Sequence, residues 1–471
     1  MSTEGHHLDR LTAVDASFLT NESSVSHMHV GGILIFEGPP PKYVDLVEHV
    51  RGRLSQVPRF RQRLVVPPLE AGRPLWADDV NFNLTYHIRH TALPEPGGEE
   101  ELKRLAGRVF SQQLDRHKPL WEMWLAQGLE RDRFALLTKT HHAMVDGVSG
   151  VDIGTVLFDL EPVPRPAEVV DDWVPRREPG TTELVARGVS DVVAAPVKLV
   201  ERAVEAIRHP ETTAKKLAEA MEGVGEIVSA FADPAPDVPL NVEIGPHRRY
   251  LWARSELATF KRIKDALGGT VNDVVLAVVT GALRNWLDGR GIRTEGLELR
   301  ALVPVSIRSD DERGELGNRI ALMRGPLPVY VEDPVRRLRV ISSAMEDLKR
   351  SKQALGAEVI SRFNDFAPPT LLAQASRINF STRLFNMIVT NVPGPQIPLY
   401  VLGRELEEVF PVAFLPQNHA LAVAIMSYNG KLGFGLLADY DSMEDADKIA
   451  AGIEESLAEL EHAAGAAAAA A

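Results

Sequence analysis

Two adjacent histidines stand out as residues able to move a proton. They open the stretch His141-His142-Ala143-Met144-Val145-Asp146-Gly147. An imidazole titrates near pH 6.5, so its neutral form can take a proton from an alcohol at neutral pH. Asp146 can orient an imidazole or anchor the loop through an arginine, and Gly147 permits a positive φ or a close backbone approach. A chance match to His-His-x-x-x-Asp-Gly arises roughly once per thousand chains of this length. Zinc is a poorer reading: adjacent histidines are poor ligand spacing, and His-Glu-x-x-His and cysteine are both missing from the sequence.

The elements around the pair must display it. The apolar run 134–140 predicts a buried strand ending at the histidines, and 148–160 has helical spacing. Neighbouring side chains on a strand point to opposite faces, so His141 and His142 cannot share one task. One faces a cavity and the other packs behind it.

The pattern resembles the signature of the CoA-dependent acyltransferase superfamily, to which chloramphenicol acetyltransferase, the carnitine acyltransferases and peptide-synthetase condensation domains belong. Further stretches resemble one branch, the bacterial wax ester synthase/diacylglycerol acyltransferases. These are Pro119-Leu120-Trp121, Asn272-Asp273, Val303-Pro304-Val305-Ser306-Ile307-Arg308, Gly317-Asn318 and Asn391-Val392-Pro393-Gly394-Pro395, with residues 11–19 and His29-Val30-Gly31 near the N-terminus. The resemblance runs from about residue 8 to about residue 460, in the family's order.

It implies an α/β (α+β) fold of two chloramphenicol-acetyltransferase-like domains, with mixed sheets flanked by helices and an active-site channel between them. It implies acyl transfer from acyl-CoA to diacylglycerol, giving triacylglycerol, or to long-chain alcohols, giving wax esters. His142 takes the place of the base, Asp146 holds the loop, and Asn272 faces the site as an oxyanion donor. Pro119, Leu120, Trp121, Asp273, Asn391 and Pro393 are expected along the substrate channel. On physics alone, Trp121 could equally begin a strand and pack into the core, and Asn272 and Asp273 could equally cap a helix. Acyl-CoA enters as a substrate; no cofactor and no metal are expected. A carrier-bound acyl donor, a specialised lipid acceptor, or a non-catalytic lipid-binding role remain as alternatives.

Composition fits this picture. The chain has 471 residues, enough for two or three domains, with 45% apolar and 25% charged residues. A net charge of −13 argues against nucleic acid as a partner. With no cysteine, a disulfide or a covalent acyl-thioester enzyme is excluded. The N-terminus is polar and no run of 18 apolar residues occurs, so a cytoplasmic protein is expected, with contact to a membrane or lipid-droplet surface left open. There is no G-x-G-x-x-G, P-loop or G-x-S-x-G.

The expected organisation is a first domain over 1–165, a linker over 166–246, a second domain over 247–463 and an Ala-rich tail over 464–471 that frays. Within the linker, apolar residues of 193–207 and 217–231 are spaced 4-3-4-3, predicting two amphipathic helices that cover the body, each other, or a lipid surface. Strands are expected at 28–36, 84–90, 121–127, 134–140, 248–257, 299–308, 318–327 and 386–392, with a hairpin over 421–437 turning at Asn429-Gly430. Helices are expected at 42–54, 99–113, 256–267, 271–287, 333–349 and 444–462.

Overall fold

The computed structural model describes residues 8–68, 73–145, 157–163, 173–180, 233–306, 320–350 and 380–470, with Gly154, Glu183 and Leu184. Asp146, Gly147, most of the helix expected after them, and the amphipathic pair of the linker lie outside the described residues.

Two six-stranded sheets carry the fold. The first has the order β11 (Tyr400–Val401), β12 (Arg404–Val412), β1 (His29–Phe36), β6 (Arg133–His141), β5 (Trp121–Leu129) and β4 (Ile88–Ala92). The second has the order β7 (Arg248–Glu256), β14 (Lys431–Asp439), β13 (Leu421–Tyr428), β10 (Met387–Pro393), β8 (Leu299–Ser306) and β9 (Ile320–Leu327). Parallel pairs (β4–β5, β10–β13, β10–β8) sit among antiparallel ones, so both sheets are mixed. A small ribbon pairs β2 (Gln62–Val65) with β3 (Leu75–Asp78).

The helices are α1 (Ala13–Asn21), α2 (Tyr43–Arg51), the single turn α3 (Leu84–His87), α4 (Glu99–Phe110), α5 (Leu257–Leu267), α6 (Val271–Gly289), α7 (Pro334–Arg350) and α8 (Ala446–Ala470). Helix α6 is the buried spine of the second half: residues Val274 to Val279 are fully inaccessible. Its start is set by Thr270 and Asp273, which form a reciprocal capping box. Asn429 (φ 42°) and Gly430 (φ 81°) both take positive φ, as the two-residue turn between β13 and β14 requires.

Most expected elements stand within a few residues of their predicted places, and three differ. The stretch 84–90 is not one strand: Asn83 caps a helical turn at Leu84–His87, and β4 follows. The Ala-rich tail does not fray at 464; α8 runs on to Ala470, as alanine's helix propensity favours. The largest difference is in the second half, expected as a domain over 247–463. Its strands β11 and β12 leave it and complete the first sheet, β12 pairing antiparallel with β1 from Phe36–Leu406 to Gly31–Val412.

Strand β12 thereby lies against the second sheet too, and glycine makes that approach feasible. A Cβ on Gly433 would fall 2.1 Å from the Val409 carbonyl oxygen, and one on Gly435 would fall 1.9 Å from that of Pro411. The Tyr250 hydroxyl donates to the carbonyls of Phe410 and Pro411, at 3.0 and 2.9 Å, from the second sheet. Helix α4 fills the other part of the junction. Lys139 of β6 is fully buried and donates to the carbonyls of Val109 and Gln112, both at 3.0 Å, at the C-terminal end of α4. On α4's far side, a Cβ at Gly107 would fall 2.6 Å from the Arg248 carbonyl oxygen of β7.

Candidate active site

Strand β6 ends at His141, and His142 opens a short 3-10 turn, His142–Met144. The two backbones are held from opposite sides. The His141 N–H donates to the Leu120 carbonyl and the His142 N–H to the Met28 carbonyl, each at 2.9 Å. The side chains diverge, as alternation on a strand demands.

His141 points inward and is fully buried. Its Nδ1 accepts the Ala143 N–H at 3.0 Å. An accepting Nδ1 carries no proton, so the neutral ring is protonated on Nε2. That nitrogen lies 3.5 Å from Glu22 Oε2, at ion-pair distance rather than in a well-aligned hydrogen bond. Glu22 is also paired with Arg116, whose Nε lies 2.5 Å from its carboxylate. Burial pushes the Glu22 carboxyl upward, but His141 and Arg116 outweigh it and hold the group below the usual carboxylate range.

His142 sits in an aromatic seat at the seam of the two halves. Its ring stacks on Phe18 of α1 (centroids 3.9 Å apart, 22° between planes) and meets the edge of Phe414 at 5.5 Å and 89°. Phe380 closes the cluster, 6.2 Å from Phe18 and 5.7 Å from Phe414. Among the described residues no partner reaches its buried Nδ1. Burial in this apolar seat, aided by the neighbouring His141 and opposed by the residue's own carbonyl, lowers the imidazole to about 4. At physiological pH this places the His142 ring in its neutral form.

The second half holds an amide pair. Asn272 lies in the first turn of α6, and Asn391 near the end of β10 donates from Nδ2 to its Oδ1 at 3.4 Å. With its oxygen so engaged, the Asn272 amide has its own N–H groups free to donate. Among the described residues no hydrogen bond joins this pair to His142.

Other expected channel residues sit elsewhere. Pro119, Leu120 and Trp121 are buried. Trp121 donates from Nε1 to the Phe60 carbonyl at 2.8 Å and stacks on His87, while Leu120 supplies the carbonyl under His141. The triplet packs beneath the first histidine. Asp273 is 2% exposed, and its Oδ2 accepts the Thr270 N–H at 2.8 Å and the Ser342 hydroxyl at 3.3 Å. It caps α6. Pro393 is exposed at the end of β10. A cavity of about 390 Å³ opens between β12 and the β13–β14 hairpin, walled by Val409, Phe410, Met426 and Leu432, with Arg254, Glu256, Glu408 and Lys431 among its charged lining.

Glu22, Arg116, Phe414 and Phe380 carried no signal in the sequence. Each reaches the histidines only through the fold, across 94 residues of chain in the case of Arg116 and Glu22.

Comparison with known proteins identifies the family. Residues 11–275 match the family model of the wax ester synthase/diacylglycerol acyltransferase catalytic domain, and residues 316–461 that of the WS/DGAT C-terminal domain. The chain is 34% identical over 457 residues to a probable diacylglycerol O-acyltransferase, tgs1, of Mycobacterium tuberculosis, covering 96% of each chain. It is 34% identical over 465 residues to a second one, tgs2, covering 97% of this chain and 100% of the relative. Among solved structures it resembles a wax ester synthase/diacylglycerol acyltransferase from Marinobacter aquaeolei VT8, with a TM-score of 0.67 and 29% identity over 97% of this chain and all of that one. A condensation domain of the calcium-dependent antibiotic synthetase shares the fold at a TM-score of 0.57 and 15% identity, covering 98% of this chain and 97% of that one. With both family domains matched in order and relatives aligned nearly end to end, the chain belongs to the wax ester synthase/diacylglycerol acyltransferase family.

Proposed function

We propose that the protein transfers the acyl group of a long-chain acyl-CoA to a lipid hydroxyl, with diacylglycerol as the preferred acceptor and long-chain alcohols as further ones. The observation that carries this reading is the neutral His142 imidazole in an apolar seat between two halves. The hydroxyl oxygen attacks the thioester carbonyl as His142 takes its proton. The tetrahedral oxyanion collapses, the C–S bond breaks, and His142 returns the proton to the leaving CoA thiolate. Asn272 is the candidate donor to the oxyanion, and Asn391 orients its amide by occupying Oδ1. Acyl-CoA serves as substrate, and the route calls for no cofactor and no covalent acyl-enzyme.

The test gives purified protein labelled palmitoyl-CoA with diacylglycerol and hexadecanol together, then separates the lipids. Label in triacylglycerol, with less in wax ester, is the expected result. Absence of labelled ester from folded protein would overturn the reading.

A further inference from the structure

Helix α1 addresses both histidines from one turn. Phe18 stacks under His142, and Glu22, four residues on, reaches His141. Residues four apart share a helix face, and the Glu22 N–H closes this turn on the Phe18 carbonyl at 3.0 Å. We infer that Glu22 is a positioning residue for acyl transfer: its carboxylate keeps the proton of His141 on Nε2, so that Nδ1 holds the Ala143 N–H and fixes the turn that presents His142. The inference rests on His142 being the base.

The geometry leaves little freedom. The side chains of Glu22 and His141 are 3% and 1% exposed, so neither can turn to water. If the His141 proton moved to Nδ1, two N–H groups would face each other at 3.0 Å and the contact with Ala143 would be lost. The turn from His142 to Met144 would lose the bond at its first residue. A buried carboxylate also needs a countercharge, which Arg116 supplies from a half-exposed position. The other groups on this side include His27, held by the Ser24 and Phe110 carbonyls, His29, whose ring lies 6.1 Å from that of His141, and Lys139 two residues earlier on the same face of β6. His29 accepts the Leu114 N–H on Nε2, and Lys139 pairs with Glu122 at 3.3 Å, so neither substitutes for Glu22.

The test compares Glu22→Ala and Glu22→Gln with the full-length protein, measuring kcat, KM for acyl-CoA and melting temperature. Glutamine keeps an acceptor oxygen at the same place. For Glu22→Ala we expect kcat to fall by roughly 30-fold with KM within about twofold, a misoriented base losing part of the general-base contribution. For Glu22→Gln we expect kcat within about fivefold of the parent. The inference is overturned if kcat per folded Glu22→Ala molecule stays within twofold of the parent. It is also overturned if the loss disappears on assay below the variant's melting range, or if Glu22→Gln loses as much as Glu22→Ala. His142→Ala, run alongside, keeps the two claims apart: turnover by that variant would remove the base itself, whatever Glu22 does.

Discussion

At the scale of the residue, the site depends on one imidazole kept uncharged. Burial against Phe18 and Phe414 lowers His142 to about 4, so protonation removes the base only well below the ordinary histidine range. The acid limb of kcat/KM is accordingly expected near pH 4 to 5. A limb at 6.5 would place the imidazole in water and contradict the seat described. Removing the proposed oxyanion donor by Asn272→Ala is expected to lower kcat by roughly 10²- to 10³-fold. Loss of its orienting partner in Asn391→Ala should cost less, and the two variants measured against each other check the assignment. At this scale the sequence was informative where chemistry is written in residue type: the histidine pair and the asparagines are legible by spacing and resemblance. It is less informative where a conspicuous triplet also serves packing. Pro119-Leu120-Trp121 supports His141 from beneath, and nothing in residue type separates a tryptophan that lines a channel from one whose indole N–H is satisfied by a carbonyl 61 residues away.

At the scale of the element, the crossing strand β12 couples the two sheets. Hydrophobic alternation reveals strands such as β6 and the β13–β14 hairpin, but β12 reads Arg-Glu-Leu-Glu-Glu-Val-Phe-Pro-Val. Its charges and Pro411 disguise it. Proline is tolerated there because β11 covers only Arg404 and Glu405, leaving the outer edge of β12 unpaired at residue 411. The glycines opposite are likewise silent in sequence: Gly433 and Gly435 lie in an otherwise ordinary strand, and only the backbone 2 Å from their missing Cβ atoms explains them. Gly435→Ala is expected to push β12 away from Tyr250 and destabilise the protein by about 1–3 kcal/mol. A urea titration reads that loss directly, and an unchanged midpoint would show that the strand has room to spare. Because Phe414 follows β12 in the chain, the same variant should also lower kcat.

At the scale of the whole molecule, a seam of buried polar groups makes stability depend on pH. His87 and His419, 1% and 0% exposed, are both lowered to about 4, chiefly by burial. Their unfolded values lie near 6.5. Between pH 6.5 and 4 the unfolded chain therefore binds protons that the folded chain refuses, and stability falls as pH drops through that window. Each contributes on the order of 3 kcal/mol across it, and replacing His419 by glutamine should flatten the dependence measured by denaturant titration. The two-sheet division was legible from the order of predicted strands and helices; how the halves interlock was not, since Arg248, Ser111 and Val25 meet only in three dimensions. Interlocking matters because the base is seated by rings from both halves: Phe18 from the first, Phe380 and Phe414 from the second. The central claim is that this seated imidazole drives acyl transfer. Its most direct test is the initial rate of ester formation from acyl-CoA by His142→Ala, with circular dichroism and melting temperature confirming the fold. A fall of roughly 10²- to 10⁴-fold at an unchanged melting curve is the predicted result. Turnover near the parent rate by the folded variant would contradict it.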